Sequence, residues 1–193
     1  MKNINILRTG IDVSKIKKQL DENPNDWDSQ KKISRAESML DRGWMEIDTG
    51  VLQLIIGMVR HKHEFVGDSE LCYPTPAFFR HTAVIEWLNA NGFEHYRRCG
   101  FLSIPTGSIV GTHIDEGKYY LDKHRFHLSI QGEYIYTVGD ESELIKPGTL
   151  LVFNNKLPHG TKNVGNCPRI TFVFDVPHDS WDHSVYNNYS IEI

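Results

Sequence analysis

Between residues 99 and 176 the chain passes through six short apolar segments separated by turn signals, and this rhythm limits the folds open to it. The segments are Cys99–Ile104, Ser108–His113, His124–Ile130, Tyr134–Val138, Thr149–Phe153 and Arg169–Val176. Gln131-Gly132, Gly139-Asp140 and Lys146-Pro147-Gly148 punctuate them with residues that accept positive φ or preset a bend. Segments this short are strands rather than helices, and strands that follow one another through tight turns pair antiparallel. The expected architecture is mainly β: a double-sheet jelly roll, cupin-like. Such a fold uses eight strands, so the rest are expected from the N-terminal half.

That half carries helix signals. Asp12 is placed to cap a helix with Val13, Ile16 and Leu20 on its apolar face, ended by Asn23-Pro24. A second helix is expected from Asp26 to Leu40, stopped at Arg42-Gly43. Thr75-Pro76 reads as cap and first-turn proline of a third, carrying Ala77 to Leu88 and ending near Asn91-Gly92. Trp44 to Val59 is apolar enough for strand or helix, and periodicity does not choose. The helices are expected to buttress the sheet. With no repeat or linker-like tract, the expectation is one domain over 1–193. Within it, 1–95 is largely helical with some core strands, 96–178 is the β core, and 179–193 is a C-terminal extension.

A net charge of −4 over 193 residues advertises neither nucleic acid nor an anionic membrane as partner. No secretory signal pattern and no membrane-length apolar run is present, so a cytoplasmic location is expected. Cys72, Cys99 and Cys167 are odd in number and form no Cys-x-x-Cys pair, which argues against a disulfide framework or structural zinc and for small buried side chains.

Chemistry concentrates in His113-Ile114-Asp115, in His159 of Pro158-His159-Gly160, and in Arg169. On an extended strand residues i and i+2 point the same way, so His113 and Asp115 would project together. His159, just beyond the strand ending at Phe153, would supply the third ligand. Two imidazoles and one carboxylate on one side of a metal leave the other side open, the arrangement of non-haem Fe(II) oxygenases. Arg125 and His127, also two apart, share a strand face and can reach one pocket.

Gly111-Thr112-His113, Arg125-Phe126-His127-Leu128, the Pro147-Gly148 turn, His159 and the strand from Arg169 to Val176 together resemble the aspartyl/asparaginyl β-hydroxylase family. The resemblance covers roughly Phe101 to Pro177 and lies in the joint order of these parts. It implies a double-stranded β-helix and an Fe(II)- and 2-oxoglutarate-dependent dioxygenase that uses O2 to hydroxylate an unactivated C–H bond. It further implies that His113, Asp115 and His159 hold iron. Arg169, ten residues after His159, would grip the far carboxylate of 2-oxoglutarate, and Arg125 and His127 would help hold its carboxylates. Some members lack the carboxylate ligand, whereas Asp115 stands here, which weakens any transfer of those members' substrate.

Substrate stays open between an Asp or Asn residue of a peptide, a free amino acid and another small molecule. A nucleic-acid-repair dioxygenase is disfavoured, because its second arginine, six residues after the first, would fall at Asp175. Two alternatives remain: a metal-dependent cupin acting as isomerase or hydrolase, and a non-catalytic sandwich that binds a small ligand. His61 and His63 lack an evident third ligand, Asn154 and Asn163 flank His159, and Trp44, Trp181, Tyr119 and Tyr120 are expected to cover the core.

Overall fold

The structure is a computed structural model that describes residues 2–27 and 49–180. In chain order its strands are β1 (Ile4–Arg8), β2 (Gly50–Gly57), β3 (Cys72–Pro74), β4 (Cys99–Ile104), β5 (Ile109–His113), β6 (Lys123–Gln131), β7 (Tyr134–Val138), β8 (Glu141–Ile145), β9 (Leu150–Phe153), β10 (His159–Asn163) and β11 (Arg169–Pro177). Among the described residues two α-helices, α1 (Ser14–Glu22) and α2 (Thr82–Ala90), accompany them. Among the described residues the strands form two antiparallel sheets, ordered β1-β9-β6-β11-β4-β2-β3 and β5-β10-β7-β8.

From β4 to β11 the chain alternates between the sheets in the manner of a double-stranded β-helix: β4, β6, β9 and β11 in the larger, β5, β7, β8 and β10 in the smaller. All eight barrel strands therefore come from Cys99–Pro177. The expectation that some would come from the N-terminal half is corrected, because β8 and β10 carry little apolar signal. Glu141-Ser-Glu-Leu-Ile is a largely exposed edge strand, and His159-Gly-Thr-Lys-Asn is mostly polar yet buried. The N-terminal strands instead widen the larger sheet, β1 beyond β9 and β2 with β3 beyond β4. Trp44 to Val59 thus resolves to a strand over its described part.

The central pair β6 and β11 is buried on both faces. Phe126, Leu128, Ile130, Phe172, Phe174 and Val176 pack with Ile16 and Leu20 of α1 and Val84 and Leu88 of α2 in one apolar cluster. Phe174 lies flat on Phe126 with centroids 5.0 Å apart, and edge-on to Phe93 at 5.0 Å. By the two-residue period, Arg125, His127 and Ser129 of β6 and Arg169, Thr171 and Asp175 of β11 face the other way, into the barrel. A second cluster, built on Ile4, Tyr134, Tyr136, Val138, Ile145, Leu151 and Phe153, fills part of that interior.

The first helix follows the expected bounds, although the Asp12 carboxylate accepts from Ser14 N (3.0 Å) rather than capping deeper in the turn. The helix expected over Ala77–Leu88 is split into a 3-10 turn at Pro76–Phe79 and α2. His81 causes the break. It leaves helical geometry (φ −104°, ψ 53°) so that its buried ring can meet the Asp26 carboxylate at 3.1 Å, where Arg80 Nε also donates at 2.9 Å. Thr75 does not cap; its hydroxyl donates to Gln53 O at 2.7 Å. Beyond residue 27 the helix expected to Leu40 lies outside the described residues, as does most of 179–193. Only Cys99 of the three cysteines is fully buried. No helix among the described residues is long and apolar enough to cross a membrane.

Phe174→Ala empties the centre of the helix-facing cluster, where four rings meet. An unfolding free energy lower by about 3–5 kcal/mol is expected in urea titration.

Candidate metal centre

Strands β5 and β10 place His113 opposite His159, with ring centroids 4.4 Å apart. The register of the pair shifts between His159 and Thr161, at Gly160. A Cβ on Gly160 would sit 2.9 Å from Val110 O, so a side chain there would push apart the strands that carry the two imidazoles.

Asp115 joins them by a route the sequence did not indicate. β5 ends at His113 and residues 114–116 belong to no strand, so the carboxylate comes from the loop after it, not from an i+2 position within it. The ligand atoms of His113, Asp115 and His159 all lie within 4.8 Å of one another. Each donor is already oriented. His113 Nδ1 lies 2.9 Å from Gly111 O, and His159 Nδ1 lies 2.9 Å from Leu157 O. A carbonyl can only accept, so in the neutral rings Nδ1 carries the proton and Nε2 keeps its lone pair for a metal. The Asp115 carboxylate is divided likewise: Oδ1 accepts from Arg125 Nη1 at 3.0 Å, while Oδ2, buried and without a hydrogen-bond partner, lies 3.9 Å from His159 Nε2. Two neutral imidazoles and one orphaned carboxylate oxygen fit a divalent transition metal.

Arg125 is already engaged by protein carboxylates. Its Nε and Nη2 donate to the two oxygens of Asp175 at 2.7 and 2.9 Å, its Nη1 holds Asp115, and the Tyr120 ring covers it at 4.6 Å. Two protein carboxylates thus engage three of the five N–H donors of Arg125, the residue expected to help hold a cosubstrate carboxylate.

Arg169 is the opposite case. It is 1% exposed, its guanidinium lies 4.0 Å from the Tyr134 ring centroid, no carboxylate pairs with it among the described residues, and its Nε has no hydrogen-bond partner. Further orphaned polar atoms lie beside it: Thr171 Oγ1, Ser129 Oγ directly across in the β6–β11 register, the Tyr134 hydroxyl and His127 Nδ1. Buried polar groups without partners are costly, and a row of them on one inner face suits a polar guest. The one fixed charge in that row, a guanidinium, favours an anion.

Burial holds His127 well below the ordinary imidazole range, with Arg169 and Arg125 adding repulsion, and burial also lowers His159. Burial pushes the Lys156 amine, which donates to Lys123 O and Asn155 Oδ1 at the edge of the site, down to about 8. Asn163 is absorbed by backbone, donating to the carbonyls of Ile104, Pro105 and Cys167. Asn154 accepts from Lys156 N, and His61 and His63 join no metal cluster among the described residues. Tyr119 is core. Sequence reasoning missed Asp175, Ser129, Thr171 and Tyr134. The period of two from Arg169 would have found Thr171 and Asp175, and from His127 it would have found Ser129.

The fold and the site together define a double-stranded β-helix protein with a His-Asp-His cluster suited to a metal. The profile of the aspartyl/asparaginyl beta-hydroxylase family matches residues 69–179, and the chain belongs to that family of hydroxylases. Similar solved structures include an oxidoreductase of the 2OG-Fe(II) oxygenase family from Burkholderia pseudomallei, 15% identical over 73% of this chain and 77% of that one, with a TM-score of 0.49. A predicted oxalate decarboxylase from Thermotoga maritima is 18% identical over 48% of this chain and 72% of that one (TM-score 0.37). The cupin domain of Cnp3 from Schizosaccharomyces pombe is 13% identical over 44% and 57% (TM-score 0.37). No curated protein sequence matches the chain.

Because the folded pKa values of His127 and His159 are depressed, the unfolded chain binds protons more readily than the metal-free fold. Stability is full above about pH 6.5 and falls as pH drops below it, by up to about 1.4 kcal/mol per pH unit for each group. Urea midpoints of the metal-free protein between pH 7.5 and 5.5 should show this fall, and His127→Gln should flatten it. A slope unchanged in that variant would assign the effect to other groups.

Proposed function

We propose that this chain is an Fe(II)- and 2-oxoglutarate-dependent dioxygenase that hydroxylates an unactivated C–H bond of a small molecule or peptide. An Asp or Asn residue or a free amino acid is the substrate class the family suggests. One observation carries the reading: the buried, unpaired Arg169 lines the same barrel interior as the cluster of His113, Asp115 and His159. A cupin isomerase or hydrolase needs the metal ligands but not a buried guanidinium awaiting an anion.

The two histidines would present Nε2 and Asp115 would present Oδ2, leaving the rest of the coordination shell to cosubstrate and oxygen. Bound iron would supply the coupling of 2-oxoglutarate decarboxylation to O2 activation, with succinate and CO2 leaving and one oxygen atom entering the substrate. Arg169 would meet the distal carboxylate with its planar fork, assisted by the hydroxyls of Ser129, Thr171 and Tyr134. His127, held neutral by burial, lies on the same strand face and would take a further hydrogen bond from or to the cosubstrate. The surrounding Tyr136 and Phe153 rings, 5.0 Å from His127, exclude water from this end of the barrel. The loop over 116–122 borders the site and is placed to select substrate.

Arg169→Ala should weaken 2-oxoglutarate binding by about 2 kcal/mol or more, since the cosubstrate's carboxylate would be buried without its charge partner. Anaerobic titration of the Fe(II)-loaded protein, following the weak visible band of a chelated keto acid, measures this, and an unchanged affinity removes Arg169 from the clamp. His159→Ala should abolish iron binding with circular dichroism unchanged, and full iron occupancy in that variant would sink the ligand assignment.

A further inference from the structure

Asp175 has no place in the proposed chemistry, yet it is one of the most deeply buried carboxylates in the molecule, 1% exposed on the inner face of β11. Its only cation is Arg125 among the described residues, directly opposite in the β6–β11 register, and the pair is bidentate. The third donor direction of that guanidinium runs to Asp115 Oδ1 at 3.0 Å. Asp115 stands on the loop that follows β5, outside the strand ladder. We propose that Asp175 and Arg125 form a rigid bracket that holds Asp115 with Oδ2 turned toward the histidines, so that Arg125 is a positioning residue for the metal's carboxylate ligand.

The geometry explains each part. A guanidinium is planar with fixed donor directions, so pinning Nε and Nη2 on Asp175 fixes where Nη1 points. Occupying Oδ1 leaves one oxygen for the metal and favours single-oxygen ligation. Tyr120 closes the outer side of the guanidinium, and Phe153 is its neighbour on β9 in the sheet register.

The inference rests on the metal reading of the site, and Co(II) titration of the purified full chain separates the two. Arg125→Lys keeps the charge but cannot hold both carboxylates, and Asp175→Asn weakens the anchor without touching the metal. Each should weaken Co(II) binding by about 10–100-fold, as losing a partner of a metal ligand commonly does. In an Asp115→Gly background, where there is no carboxylate to position, Arg125→Lys should leave Co(II) affinity unchanged, a non-additivity that a general structural defect would not produce. Equal losses in the two backgrounds, or Co(II) affinity untouched in both variants, would overturn the bracket. If Arg125→Lys does not fold, Asp175→Asn carries the same comparison. A wild-type chain that binds no Co(II) would overturn the metal reading itself.

Discussion

The β6–β11 pair is buried on both faces although only one face is apolar, and the rest of the structure answers that constraint. On the helix side the demand is met by aromatic stacking: Phe126, Phe172 and Phe174 pack among themselves and against Phe93 and Trp87. On the barrel side the same strands bring Arg125, His127, Ser129, Arg169, Thr171 and Asp175 out of water. Charges there must be paired or neutralised, because desolvation is costly. Arg125 and Asp175 satisfy each other. Arg169 is left over, and that imbalance, more than the metal ligands, separates this barrel from one that merely binds a metal.

The ligands themselves show how little of a metal site lies in the ligands. Both imidazoles are turned by backbone carbonyls two residues upstream, Gly111 for His113 and Leu157 for His159. This i−2 contact is local, and it fixes the tautomer before any metal arrives. Asp115 has no such local partner and depends on a residue ten positions later in the chain, itself anchored fifty positions further on. The carboxylate is therefore the ligand whose position depends most on the completed sheet.

The N-terminal part acts at the edges. β1 pairs with β9 and β2 with β4, extending the larger sheet on both sides, while α1 and α2 cover its outer face. Asp26 ties the segment after α1 to Arg80 and His81 before α2, so a buried ion pair fixes where both helices lie on the sheet. Neither helix reaches the metal ligands; their contribution is to keep β6 and β11 flat against the barrel so that the inner face stays in register.

By itself the sequence determined the antiparallel double-sheet fold, the bounds of six barrel strands to within a residue or two, and the identity of the residues that cluster: His113, Asp115 and His159, with Arg169, Arg125 and His127 on neighbouring strands. These were legible because strand alternation and turn residues act over short distances, and because the order of the motifs matches a known family. Tertiary structure alone decided the rest. β8 and β10 became barrel strands although their own side chains are mostly polar, since pairing with β7 and β5 satisfies backbone groups that no sequence pattern advertises. The splitting of the expected Ala77–Leu88 helix followed from Asp26, more than fifty residues away. Which carboxylates meet the two arginines was likewise invisible from spacing, because it depends on what the folded sheet brings beside each guanidinium. Asp175 stands across from Arg125, and no carboxylate among the described residues reaches Arg169.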